Sequence, residues 1–164
     1  MTEIYIGIDP GKSGGMCALI KTSDIIGATV AELVPFKSVE ETAKLIKSLY
    51  YSNTQKVTAL IENVHAFPTD GRSSAFKFGV NFGQWQGILY SNNINVEFIV
   101  PFKWMSSYRQ FSKDKQERKN QIKELANDLL PIYRCDKKAT LKTADAVLIA
   151  NYLYEQKMEE KNGK

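Results

Sequence analysis

Three acidic residues stand where acids are costly. Asp9 closes the run Ile4-Tyr5-Ile6-Gly7-Ile8-Asp9, and Glu62 closes Lys56-Val57-Thr58-Ala59-Leu60-Ile61-Glu62. Both runs are rich in strand formers, so each reads as a strand ending on a carboxylate. Asp145 lies between Ala144 and Ala146, in register with Leu141, Leu148 and Tyr152 on the apolar stripe of a helix. Each acid alone has a bland explanation: Asp9 as a turn residue before Pro10-Gly11, Asp145 as the partner of a lysine. Together they suggest chemistry, because gathered carboxylates repel unless a cation lies between them. Oxygen-only ligands favour Mg²⁺ or Mn²⁺. Two such ions about 3.5–4 Å apart activate water and stabilise the leaving oxygen in phosphodiester cleavage.

The elements that must position these acids follow from periodicity. Pro10-Gly11 and Gly14-Gly15 form a turn, residues 16–20 return as a second strand, and 27–35 read as a third. Within the first strand Ile4, Ile6 and Ile8 share one face and Tyr5, Gly7 and Asp9 the other, so Gly7 is expected to keep the surface beside Asp9 open. Ser38, with Glu41 three residues on, caps a helix running to about Tyr50. Residues 56–62 are the fourth strand and 95–101 the fifth. Between them a helix over roughly 74–92, capped by Ser73 or Ser74, buries Phe78, Phe82, Trp85 and Leu89. Gly79, Gly83 and Gly87 recur on its neighbouring face, at about 1 kcal/mol each against alanine, where the sheet or a second subunit must come close. Phe102 and Trp104 are expected in the core with Lys103 exposed; helices follow over roughly 113–130 and 141–156. The order predicts an α/β fold, a five-stranded mixed sheet flanked by helices, as one domain over 1–157 with a frayed charged tail over 158–164.

With 164 residues, 43% hydrophobic and 24% charged, the chain suits a globular domain with a full core. It has no apolar run long enough for a membrane span and no leader, so it is expected in the cytoplasm, that of the host if phage-encoded. Cys17 and Cys135 form no metal-type spacing and His65 is the only histidine, which argues against zinc or a His-based triad. The net charge of +4 is unevenly spread: Pro101–Lys142 holds 11 Lys/Arg against 5 Asp/Glu. Lys113, Lys115, Arg118 and Lys119 read as phosphate contacts or as a solvated helix face, and Lys137 and Lys138, just before the last helix, as stronger candidates. Phe67, in a loop with Arg72, is either a base-stacking residue or a core anchor.

Ile8-Asp9-Pro10-Gly11, Ile61-Glu62 and Ala144-Asp145-Ala146-Val147-Leu148-Ile149-Ala150 resemble the motifs of RuvC-type Holliday-junction resolvases, along nearly the whole chain to about Tyr154. The segment Phe76-Lys77-Phe78-Gly79, the run Gly83-Gln84-Trp85-Gln86-Gly87 and Pro101-Phe102-Lys103-Trp104 look most like the phage branch. The resemblance implies a ribonuclease-H-like fold and a homodimer that nicks four-way DNA junctions, with forks and flaps as further candidate substrates. It implies Asp9, Glu62 and Asp145 as catalytic metal ligands for Mg²⁺ or Mn²⁺. It also marks a departure: where the family carries a fourth acid or a histidine, three residues before Asp145, this chain has Lys142, which competes with the metal for the same carboxylates, contacts the scissile phosphate or begins the helix in solvent. Other readings are a branched-DNA-binding protein without catalysis and a ribonuclease H acting on RNA–DNA hybrids. An ATPase of the actin and sugar-kinase fold needs two such domains, and the chain is too short for them.

Overall fold

The computed structural model describes residues 1–49, 55–63 and 71–163. Five strands form one sheet: β1 (Thr2–Asp9), β2 (Gly15–Lys21), β3 (Thr29–Pro35), β4 (Gln55–Glu62) and β5 (Asn95–Ile99), in the order β3-β2-β1-β4-β5. The meander β1-β2-β3 is antiparallel, with a register shift between Ala18 and Leu19, while β4 lies parallel to both β1 and β5. The mixed sheet expected from the element order is thus present.

Period-two alternation sends successive side chains to opposite faces, and each face has its own core. Ile4, Ile6 and Ile8 of β1 and Val57, Ala59 and Ile61 of β4 pack with Ile46, Trp85, Ile88 and Leu89. Those last four belong to α1 (Val39–Leu49) and α2 (Arg72–Ser91). On the other face Tyr5, Cys17, Leu19 and Leu60 pack against α3 (Pro101–Ser106), α4 (Lys115–Leu129) and α5 (Ala144–Lys161). Asp9 continues the Tyr5–Gly7 row and Glu62 the Thr58–Leu60 row, so both acids belong to the α5 face.

Ser38 caps α1 as expected, its Oγ accepting from the Glu41 N–H at 3.2 Å. Several boundaries differ from expectation. Helix α2 begins at Arg72 on a Gly71 N-cap that makes no side-chain bond, so neither Ser73 nor Ser74 is the cap. Helix α4 starts at Lys115 because Asp114 accepts from the Glu117 N–H at 2.8 Å, which leaves Lys113 ahead of it. Helix α5 starts at Ala144, later than the expected start near 141, and runs on to Lys161, beyond the expected end near 156. Salt bridges hold its end: Lys157 to Glu97 at 3.0 Å, and Lys161 to Glu3.

One glycine expectation is corrected and a second is narrowed. A Cβ on Gly7 would lie 2.2 Å from the Ala150 nitrogen and 2.4 Å from the Ala146 oxygen. The surface beside Asp9 is therefore filled by the α5 backbone rather than open. Gly79, Gly83 and Gly87, by contrast, have nothing among the described residues within 4 Å of a built Cβ. The sheet is thus not what approaches them.

Candidate functional site

Residue Asp9 ends β1 at a tight hairpin. Gly14 comes so close that a Cβ there would meet the Asp9 carbonyl oxygen at 2.0 Å. Helix α2 steadies the turn from the other side: buried Asn81 accepts from the Gly11 N–H at 2.7 Å, and Gly11 has a φ of 119°, which suits glycine. Glu62 ends the adjacent parallel strand, one residue past the Ile8–Ile61 pair. Asp145 comes from the first turn of α5, which Gly7 admits against β1. Three separate elements thus deliver one acid each to the same end and face of the sheet.

The acids sense one another. Burial pushes Asp9 well above the usual carboxylate range, and the charges of Asp145 and Glu62 push it further. Glu62 rises from 4.5 to about 7, first through burial and then through Asp145, against a hydrogen bond from Trp104 that favours its charged form. Asp145 rises from 3.8 to about 6 through burial, against the charges of Lys119 and Arg118 on α4. Lys119 also favours the charged form of Asp9. Among the described residues no three acid, histidine or cysteine side chains converge as a ready cage. The acids are electrostatic neighbours whose side chains do not close on one point. An oxygen-only donor set with this excess of buried negative charge fits a hard divalent cation.

The other expected residues fall into groups. Lys119 faces the acids electrostatically. Arg118 is half-buried and its Nη1 donates to the carbonyls of Ser112 at 3.2 Å and Lys113 at 3.1 Å, so it fastens the start of α4. Arg72, Lys113, Lys115, Lys137, Lys138 and Lys142 are exposed. Lys137 lies 3.9 Å from Glu32. Arg134, Lys137 and Lys138 line a cavity of about 390 Å³ whose walls include none of the three acids. Lys142 precedes α5, in a turn where the Thr140 N–H donates to Thr143 Oγ1 at 3.0 Å. It lies two residues ahead of the α5 start, and the cations acting on Asp145 come from α4. Phe67 and His65 lie outside the described residues.

Three apolar assignments change. Phe102 is 79% exposed while Trp104 is 1% exposed. The short helix α3, which periodicity did not signal, turns Trp104 inward and Phe102, two residues earlier, outward. Leu141 is 44% exposed because it precedes α5. Of the α2 stripe, Trp85 and Leu89 are buried, but Phe78 and Phe82 are half-buried, stacked on each other with ring centroids 6.2 Å apart. What sequence reasoning missed at the site is the role of Trp104: its Nε1 donates to Glu62 Oε1 at 2.8 Å.

With this geometry in place, similarity to solved structures is informative. The chain resembles Thermus thermophilus RuvC in complex with a Holliday-junction substrate, with a TM-score of 0.60 at 13% identity over 96% of each chain. It resembles a second Thermus thermophilus RuvC structure with a TM-score of 0.50 at 15% identity, over 99% of this chain and 97% of that one. The yeast mitochondrial Holliday-junction resolvase Ydc2 matches with a TM-score of 0.51 at 14% identity, over 96% of this chain and 80% of that one. The fold is the ribonuclease-H-like fold of these resolvases. No protein-family model matches the chain, and no curated protein matches it by sequence. Among the described residues no helix is long and apolar enough to cross a membrane.

Proposed function

We propose that this chain is a metal-dependent, structure-selective endonuclease that nicks four-way junctions and other branched DNA by phosphodiester hydrolysis. The observation that supports this reading is the placement of Asp9, Glu62 and Asp145, from β1, β4 and α5, as electrostatic neighbours at one end and face of a resolvase-type fold. The three carboxylates would hold Mg²⁺ or Mn²⁺, which when bound activates water and stabilises the leaving oxygen. Glu62 is buried and Asp9 and Asp145 are half-buried, so their charges act more strongly than in water. Lys119 places a positive charge beside the acids, where it offsets part of their repulsion and meets the phosphate that approaches them. Arg72, Lys113, Lys115, Lys137, Lys138 and Lys142 contact flanking phosphates, which position the DNA without reading its sequence. Phe67 stacks on a base at the branch point.

The working unit is a homodimer, matching the two-fold symmetry of a four-way junction. Helix α2 supports this: Phe76, Val80 and Tyr90 are exposed on it, and Gly79, Gly83 and Gly87 stand open, so a second copy of the helix can approach closely. A binding-only reading rests on Lys142, which replaces an acid with a cation that cannot ligate metal.

One experiment separates the readings. Purified protein is incubated with labelled four-way, three-way and linear duplex DNA and with an RNA–DNA hybrid, each with Mg²⁺ or Mn²⁺. Paired nicks in the four-way junction are expected, with linear duplex left intact. Junction binding without cleavage under either metal supports the binding-only reading, and preferred cleavage of the hybrid supports ribonuclease H.

A further inference from the structure

Trp104 belongs to the hydrophobic core of the α5 face, yet its polar atom does more than pack. Its indole is 1% exposed, and its Nε1–H reaches across 42 positions of sequence to Glu62 Oε1 at 2.8 Å, a buried bond between two side chains. An indole nitrogen only donates and never changes protonation in this range, so it can stabilise a carboxylate but cannot ligate a metal. Bonds from such donors to ligating carboxylates orient the ligand and tune its affinity. We infer that Trp104 is a positioning residue for Glu62, fixing one carboxylate oxygen and so setting the direction from which the other meets a divalent cation. This inference rests on the proposed metal-binding role of Glu62.

The setting of Trp104 fits an orienting role. The ring stands edge-on to Tyr108, centroids 6.5 Å apart at 75°. Tyr108 in turn donates to the Leu148 carbonyl of α5 at 2.5 Å and accepts from Asn151 Nδ2 at 2.8 Å. The brace therefore runs from Glu62 on β4 through α3 to the helix that carries Asp145. Trp85 makes the contrast: it is equally buried, yet its Nε1 has no partner among the described residues. That indole only fills space.

The contrast supplies the test. The chain has 2 tryptophans, hence two indole N–H resonances in a ¹H–¹⁵N spectrum, and Trp85→Phe assigns them without breaking a hydrogen bond. Full-length protein without DNA is titrated with Mg²⁺ alone. The Trp104 resonance should shift saturably and more than that of Trp85, and Glu62→Gln should remove the shift. Mn²⁺ affinity, read by electron paramagnetic resonance of free Mn²⁺, should weaken about tenfold in Trp104→Phe, which keeps an aromatic ring but has no donor. A Trp104 resonance that stays still in protein that binds Mn²⁺ overturns the inference. So does a folded Trp104→Phe protein with wild-type Mn²⁺ affinity. If Trp104→Phe does not fold, the titration of wild-type protein decides alone. Equal Mn²⁺ affinity in wild type and Glu62→Gln would instead bring down the reading of Glu62 itself, and this inference with it.

Discussion

Burial and mutual repulsion raise Glu62 to about 7, Asp145 to about 6 and Asp9 well above the usual range, so without a counter-ion these acids oppose folding at neutral pH. Their folded values lie above the ordinary 4.5 and 3.8 of glutamate and aspartate. The stability they contribute is thus complete below those ordinary values and is lost as pH rises through about 6 and about 7. In EDTA the melting temperature should therefore fall between pH 5 and pH 8, and added Mg²⁺ should restore more of it at pH 8 than at pH 5. Glu62→Gln should flatten the profile, and a flat wild-type profile would show that the acids are not buried together. Lys119 is the other residue of consequence here. Its charge acts on both Asp9 and Asp145, whereas Lys142 sits in the turn before α5. Lys119→Ala should slow junction cleavage by about a hundredfold, against a few-fold change for Lys142→Ala. The reverse order in single-turnover rates would restore Lys142 to the site. The three acids were legible in the sequence because each breaks an apolar pattern. The Trp104–Glu62 bond was not, since a pairing across 42 residues leaves no local trace.

Among the elements, strands were easier to read than helix ends. Alternation in β1 groups Asp9 with Tyr5 and Gly7, and the β1–β4 register puts Glu62 on that same face. The start of α5 was obscured because Leu141 mimics the helical stripe while the Thr140–Thr143 turn intervenes. Gly7 was expected to keep the surface beside Asp9 open, yet what it provides is a seat for α5. Gly7→Ala should therefore destabilise the fold by about 1–3 kcal/mol and reduce cleavage by displacing Asp145. Denaturant unfolding that matched wild type would show that α5 does not pack as described. On α2 the open glycine row and the exposed Phe76, Val80 and Tyr90 make a specific claim about assembly. Val80→Lys and Gly83→Lys should each shift the protein from dimer to monomer in light scattering at micromolar concentration. Wild-type protein that is monomeric both free and on a junction would reject the dimer.

Over the whole molecule, fold and charge speak to different steps: the fold to where the acids meet, the charge to how DNA would reach them. At 13–15% identity to the resolvases it resembles in structure, the chain shares their fold while matching no family model by sequence. The element order carries that likeness: an antiparallel meander followed by alternating helices and strands gives the same five-stranded mixed sheet. The excess of positive charge between Pro101 and Lys142 lies on the segment that includes α4, whose Lys119 and Arg118 act electrostatically on the acids. Affinity for branched DNA should accordingly fall steeply with salt. Charge reversal of Lys137 and Lys138 should flatten that slope by roughly 0.9 for each phosphate no longer neutralised; an unchanged slope would place the DNA elsewhere. Whether Asp9, Glu62 and Asp145 hold metal for hydrolysis, rather than hold DNA, is decided by measuring cleavage and binding side by side. Wild type, Asp9→Asn, Glu62→Gln and Asp145→Asn would each be given the same labelled four-way junction, with Mn²⁺ for cleavage and with EDTA for binding. Paired nicks are expected from wild type alone, with all four proteins binding the junction equally well or the variants more tightly. Near wild-type cleavage by any one variant would contradict the metal-holding role of that acid.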